Sequence, residues 1–374
     1  MATTTDRERC EDVTIRAYEP GDRDEIRSLF AVQWGTRPTT NWFEWKYVDS
    51  PCSQVPLTLA RTDGQVVAVQ GYLPIRIRWR EQVIPAYKPV DAVVHPEYRR
   101  QGLYSRLTRF AIQSYLDQPP AFFFNFPNQA SLGAQTSLGW SDLGVVPLYY
   151  RVQSPSALLS ADSRSRYPTL LHRAGNVLSR SYLGLRDWLR SERVDDGQTT
   201  TLTVDRYDTI PERILESLYH TDRPPQLHAD RSPRLYRWLS ACPRYEYTTY
   251  VARQRGRPVA GVVSRTESGR VVHLVDALPM DGGHEAFPAL LSTVIADNTD
   301  AAVISATGQL LSHALLTRFG FRSSRNPILS RLSQPTHFAT RPLWREDEQP
   351  PIPFSPATLA DASQWRISLL EVID

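Results

Sequence analysis

The sequence predicts an α/β protein of two tandem units, each a mixed antiparallel and parallel sheet flanked by helices. Three observations carry that expectation. Landmarks recur in one order at an offset of about 190 residues. Strand–helix–strand runs occur whose crossovers require parallel neighbours. The length of 374 residues favours two domains over one.

Each unit opens with a helical pattern. Ile26, Leu29 and Phe30 share one face in the first copy, and Ile214, Leu215, Leu218 and Tyr219 in the second. An aromatic cluster ending near a proline follows, Trp42-Phe43-Glu44-Trp45-Lys46-Tyr47 before Pro51 and Tyr236-Arg237-Trp238 before Pro243. Hairpins come next. Asp63-Gly64 and Arg255-Gly256 supply the turns, and flanking valines and alanines supply the strands.

A buried strand comes next in each copy, Val90–Val94 or Val275–Leu278. The helix behind it carries Leu103, Leu107, Phe110 and Ala111, or Phe287, Leu290, Leu291, Val294 and Ile295. A further strand, Ala121–Phe124 or Ala302–Ser305, leads to a short helix closed by Gly139 or Gly320, the residue a left-handed cap requires. The units expected are 12–150 and 201–335. A linker over 151–200 carries a bridging helix at Tyr167–Arg190. A Pro-rich tail over 336–374 offers Trp365–Val372 as an edge strand.

Composition narrows the function classes. Apolar content of 41% suffices for a core, and a net charge of +3 argues against nucleic acid as the main partner. Lys46 and Lys88 are the only lysines among 43 basic residues. Cys10, Cys52 and Cys242 are too widely spaced for a disulfide framework or a zinc site, so no metal is expected. No signal peptide and no apolar run near the roughly 20 residues of a membrane span is present, which points to the cytoplasm and away from membranes.

The chemistry concentrates in Arg99-Arg100-Gln101-Gly102-Leu103-Tyr104. The strand ends at Val94, His95-Pro96 breaks it, and a helix starts near Gly102. A helix N-terminus offers unpaired N–H groups and partial positive charge, which together bind phosphate. Gly102 allows close backbone approach, and the two arginines add charge-assisted hydrogen bonds.

Together with the run from Val90 to Tyr104, this order of elements resembles the GNAT superfamily of acyl-CoA N-acyltransferases. The family signature has Arg or Gln, two residues, Gly, one residue, then Gly or Ala. Arg99 and Gly102 match it, and Tyr104 departs from it where a small residue is usual. The resemblance implies acetyl-CoA as acyl donor and an amine of unknown identity as acceptor. The pyrophosphate would lie on Arg99 to Tyr104, and the pantetheine arm along the Val93 and Val94 main chain. Many members use as acid a Tyr four residues before the closing Gly. Gln135 stands there, leaving Tyr104, Tyr149, Tyr150 or water for the role.

Asp91 and Glu44 are candidates for the base, each with a structural alternative. Asn125 and Asn128, beyond the second core strand, are candidates for orienting the thioester or cofactor, with turn formation the alternative for Asn128. Met280 to Glu285 carries acids and no Arg at the matching place, so the second unit is expected to bind no CoA. Two other functions fit the same scaffold: a non-catalytic acyl-CoA-binding protein, and a FemABX-like peptidyltransferase using aminoacyl-tRNA.

Overall fold

In the first unit, strand β1 (Thr14–Ala17) leads into helix α1 (Arg23–Trp34), which buries Ile26, Leu29 and Phe30 and ends where Gly35 turns left-handed at φ 72°. Helix α2 (Thr40–Phe43), capped by the Thr39 side chain, passes into a π-helical turn, Glu44–Val48. The wide turn places Trp45, Lys46 and Tyr47 inward together. Strands β2 (Leu57–Thr62) and β3 (Gln65–Trp79) join through Asp63 and Gly64, at φ 48° and 74°, the two left-handed residues of a type I′ turn. Then follow β4 (Gln82–Val94), α3 (Leu103–Ser114), β5 (Phe122–Asn125), α4 (Gln129–Thr136), β6 (Ser141–Val145) and β7 (Leu148–Val152).

The second unit repeats this order with β8 (Leu202–Tyr207), α5 (Glu212–Thr221), a two-residue strand β9 (His228–Ala229) and α6 (Pro233–Ser240). The hairpin of β10 (Glu246–Gln254) and β11 (Arg257–Glu267) again turns on two left-handed residues, Arg255 and Gly256. After it come β12 (Val271–Leu278), α7 (Phe287–Asp297), β13 (Val303–Thr307), α8 (His313–Arg318) and β14 (Arg322–Ser323). The chain closes with β15 (His337–Pro342), α9 (Pro356–Leu359) and α10 (Leu369–Val372). This computed structural model describes residues 13–50, 55–116, 118–153, 202–267, 270–280, 284–326, 335–345 and 349–372, and the expected bridging helix lies outside them.

The two sheets have matching orders, β1-β2-β3-β4-β5-β15-β6 and β8-β10-β11-β12-β13-β7-β14, with β9 added to β3. Among the described strands, β4–β5 and β12–β13 are the parallel pairs. The units exchange closing strands. β7 leaves the first unit and inserts between β13 and β14, while β15 returns from the chain end to lie between β5 and β6. Residue 150 therefore falls inside a strand of the second sheet.

One apolar cluster spans both units, joining Trp42, Phe43 and Trp45 to Leu215, Tyr236 and Trp365. Trp45 and Trp238 stack 4.8 Å apart at 9°, and each indole N–H donates to the other's carbonyl, at 2.7 and 2.9 Å. The paired bonds mark the pseudo-twofold relation between the halves.

The tail departs from expectation. Its strand is β15, inside the first sheet, whereas Trp365–Val372 makes one isolated bridge to Leu227 and then turns into α10. The cause is electrostatic. The turn brings fully buried Glu371 within 2.6 Å of the equally buried Arg231, whose guanidinium also bonds Asp276 and Ser368. A flat edge strand would strand that charge without its partner.

Candidate functional site

The site begins where β4 and β5 part. Their parallel pairing covers only Ala86–Phe122 and Tyr87–Phe123, after which the β5-facing edge of 88–94 has no strand beside it. Val93 and Val94 lie on this stretch and pair on their other edge with Val69 and Ala68. Pro96–Tyr98 then makes a 3₁₀ turn, and Arg99 is extended. Arg100 and Gly102 are left-handed at φ 63° and 74°, and Gly102 caps α3. No side chain caps this helix, so its first N–H groups are left to solvent or an anion. A Cβ on Gly102 would meet nothing within 4 Å, so the positive φ and the open approach, not crowding, favour glycine.

Arg99 turns back on its own strand: Nε donates to the Val94 carbonyl at 3.2 Å and a terminal nitrogen to Gln33 at 2.5 Å. Arg100 projects into solvent. Gln101 donates to the Glu97 carbonyl, and Leu103 packs into the core under β2 and β3.

Tyr104 occupies the signature's small-residue position, and its phenol reaches the Gln135 side chain of α4 at 3.0 Å. Burial pushes the Tyr104 phenol above its usual pKa, so it stays protonated at neutral pH. Gln135 is 1% exposed, and its carbonyl oxygen has no partner. The misfit at Tyr104 and the missing tyrosine at Gln135 are thus one arrangement, with a phenol supplied from α3. Neither residue announces the other in the sequence, because 31 positions separate them.

Asp91 occupies a bulge. Val93 pairs with Val69 but Val90 with Gly71, and Asp91 has φ 49°. Its side chain, 3% exposed, lies 2.6 Å from the ammonium of Lys46, also 3% exposed, and accepts a hydrogen bond from the Tyr47 hydroxyl. Lys46 rests over the Trp42 ring at 5.0 Å. Gly71 makes room for this: a Cβ there would come within 2.7 Å of the Tyr47 ring. The second unit repeats the plan, with Asp276 accepting from Tyr236 at 2.7 Å and from Arg231. The sequence assigns Lys46 no role inside the aromatic cluster; the signal that singles it out is its rarity, as one of only two lysines in the chain.

The remaining candidates are dispersed. Glu44 lies outside, ion-paired with Arg23 at 2.9 Å along a groove edged by Trp45, and is not joined to Asp91. Asn125 ends β5 with its side-chain oxygen accepting from Phe126, and Asn128 caps α4 through Ser131. Trp42, Phe43, Trp45 and Tyr47 are buried in the core. Tyr149 and Tyr150 belong to the exchanged strand in the other sheet, where Tyr149 bonds His313. Among the described residues no cluster could hold a metal ion, and no helix is long and apolar enough to cross a membrane.

Residues 14–142 match the family description of an Acetyltransferase (GNAT) domain. No curated protein is significantly similar in sequence. Among solved structures, a GCN5-related N-acetyltransferase from Anabaena variabilis shares 11% identity over 88% of this chain and 73% of its own, with a TM-score of 0.57. A tandem GNAT protein from the clavulanic acid biosynthesis pathway shares 12% identity over 90% of this chain and 100% of its own, TM-score 0.54. N-myristoyltransferase from Saccharomyces cerevisiae, solved with myristoyl-CoA, shares 12% identity over 97% of this chain and 85% of its own, TM-score 0.53. Such identities speak for fold alone. With the domain match over residues 14–142, they show a GNAT-like first unit and, for the chain as a whole, the fold of two tandem GNAT-like units.

Proposed function

We propose that this protein transfers an acyl group, acetyl in the first instance, from acyl-CoA to an amine, and that the first unit alone holds the cofactor. One observation carries the proposal. The strand opening past Tyr87, over 88–94, and the uncapped, arginine-flanked start of α3 at Leu103 lie on one chain segment, joined by the turn over 95–102. The Gly102 to Tyr104 backbone and Arg100 hold the pyrophosphate. The Val93 and Val94 main chain takes the pantetheine amides. The amine attacks the thioester carbonyl, an N–C bond forms, the C–S bond breaks, and the nitrogen's surplus proton passes to water.

The leaving thiolate takes its proton from Tyr104, since Gln135 donates to the phenol oxygen and leaves the phenol proton free to be given, and the phenolate regains a proton from water. Asp91 fixes the bulge and the Lys46–Tyr47 turn, a positioning role that Asp276 repeats in the other unit. Asn125 and Asn128 shape the far wall through their turn and cap. The second unit is silent. Past the last β12–β13 pair, His273–Ser305, its opening is crossed by the chain at 366–368, with Arg366 bonded to the Met280 carbonyl and the Ile367 carbonyl accepting from Thr307 at 3.1 Å.

Acetyl-CoA should raise the melting temperature of the wild type and leave Gly102→Asp unmoved, since a carboxylate there repels pyrophosphate. Equal stabilisation of both would remove the cofactor from this turn. A panel of amines then tests turnover.

A further inference from the structure

The strand opening has two sides. On one face of the sheet Tyr72, Tyr87 and Phe123 pack with Ala111 and Ile112 of α3. Side chains alternate along β4, so Ala86, Lys88 and Val90 point the other way, toward the core shared with the second unit. On that face lies a cavity of about 20 Å³. Lys88 and its cross-strand partner Leu73 line it, with Ile75 two residues further along β3. Lys88 is also the first β4 residue beyond the last β4–β5 pair, so the cavity adjoins the apex of the opening.

The rest of the wall comes from elsewhere in the chain. Helix α6 supplies Leu235, Trp238 and Leu239, and α10 supplies Leu370. Trp238 is held against Trp45 by the stack and the paired indole–carbonyl bonds, which makes that side rigid. Two cations line the cavity, and both are turned to other groups. Lys88 Nζ donates to the Glu371 carbonyl at 3.0 Å, and the Arg265 guanidinium lies 3.8 Å over the Tyr245 ring. Among the described residues no carboxylate lines it. The space is therefore largely hydrocarbon-walled, and its size suits about one methyl-sized group. Close-packed walls admit further methylenes only by displacing side chains.

We infer that this cavity receives the acyl group, and that Leu239 of the second unit and Leu370 of the tail restrict it to acetyl. The inference rests on the acyl-CoA reading above. An arm held on the Val93 and Val94 main chain runs along the free edge of β4 toward Lys88, so its thioester end arrives where the cavity begins. The second unit, with no cofactor of its own, thereby sets the chain length that the first unit accepts.

The test is calorimetric titration of CoA, acetyl-CoA, butyryl-CoA and hexanoyl-CoA into the full chain without amine. Wild type should bind acetyl-CoA at least tenfold more tightly than hexanoyl-CoA, with butyryl-CoA between them. Leu239→Ala and Leu370→Ala should each narrow that ratio to threefold or less, with folding checked by melting. Leu239 is only half-buried, so its variant carries the test where Leu370→Ala unfolds. Equal affinity of wild type for acetyl-CoA and hexanoyl-CoA overturns the inference and leaves the cofactor reading standing, and that comparison needs no variant. Discrimination that survives in a folded variant overturns the role of the leucine removed. Failure to bind any of the four, CoA included, removes the cofactor reading and this inference together.

Discussion

Asp91→Asn is a sharp probe of how the site is held. The substitution keeps the size of the side chain, and Asn tolerates the left-handed backbone at φ 49°. It also leaves an oxygen for the Tyr47 hydroxyl. What it removes is the negative charge 2.6 Å from Lys46, with both side chains only 3% exposed. An exposed pair would be worth up to about 1 kcal/mol. Here the orphaned ammonium stays among Trp42, Tyr47 and the strand, and removal of one partner of a buried pair costs about 3–5 kcal/mol. At about 2–4 °C per kcal/mol for a domain of this size, the melting temperature should fall by roughly 6–20 °C. Lys46→Met combined with Asp91→Asn should recover most of the loss, because no unpaired charge remains. The assay is equilibrium unfolding of the two single variants and the double variant. A loss below about 1 kcal/mol for Asp91→Asn, or strict additivity in the cycle, would refute the buried-pair account.

Tyr104→Phe should lower kcat by about 100-fold or more with little change in KM for acetyl-CoA, measured by thiol release; an unchanged kcat assigns the proton to another donor. Stability should also depend on His228. Burial, then the neighbouring Arg231 charge, pushes its pKa down to about 4. Its Nδ1 faces the Gln226 carbonyl, so Nε2 is free to accept from Tyr219 at 2.7 Å. The unfolded chain takes up the proton first, so stability is complete above about pH 6.5 and drains away toward pH 4, by about 3 kcal/mol. His228→Gln should flatten that slope in unfolding measured from pH 7 to pH 4, and an equal slope in both proteins would contradict it. Deleting 336–374 removes β15 from between β5 and β6, so the truncated chain should lose cooperative melting of the first sheet as well as the tail.

Much of the fold was legible because local signals and global pattern agreed. The paired left-handed turns at Asp63-Gly64 and Arg255-Gly256 and the left-handed closing glycines Gly139 and Gly320 stand where spacing put them. The strand exchange was not legible. Nothing within β7 or β15 itself says which of the two sheets it joins, since the pairing runs through main-chain bonds that either sheet could supply. The left-handed turn proposed to bind an anion could be located in the sequence since Arg99 to Tyr104 are six consecutive residues. The Tyr104–Gln135 and Lys46–Asp91 partnerships could not, because each depends on tertiary contact between side chains that are unremarkable alone.

The two lysines close the account. Lys46 is sealed against Asp91, and Lys88 is sealed with its Nζ donating to the Glu371 carbonyl at 3.0 Å. With no other lysine in the sequence, the folded protein presents no side-chain amine to solvent. On the acyltransferase proposal, the protein thereby offers activated thioesters no lysine of its own to acylate by accident. Amine-reactive reagents should accordingly modify its lysines only as it unfolds, which makes lysine labelling a direct reporter of opening at the junction of the two units.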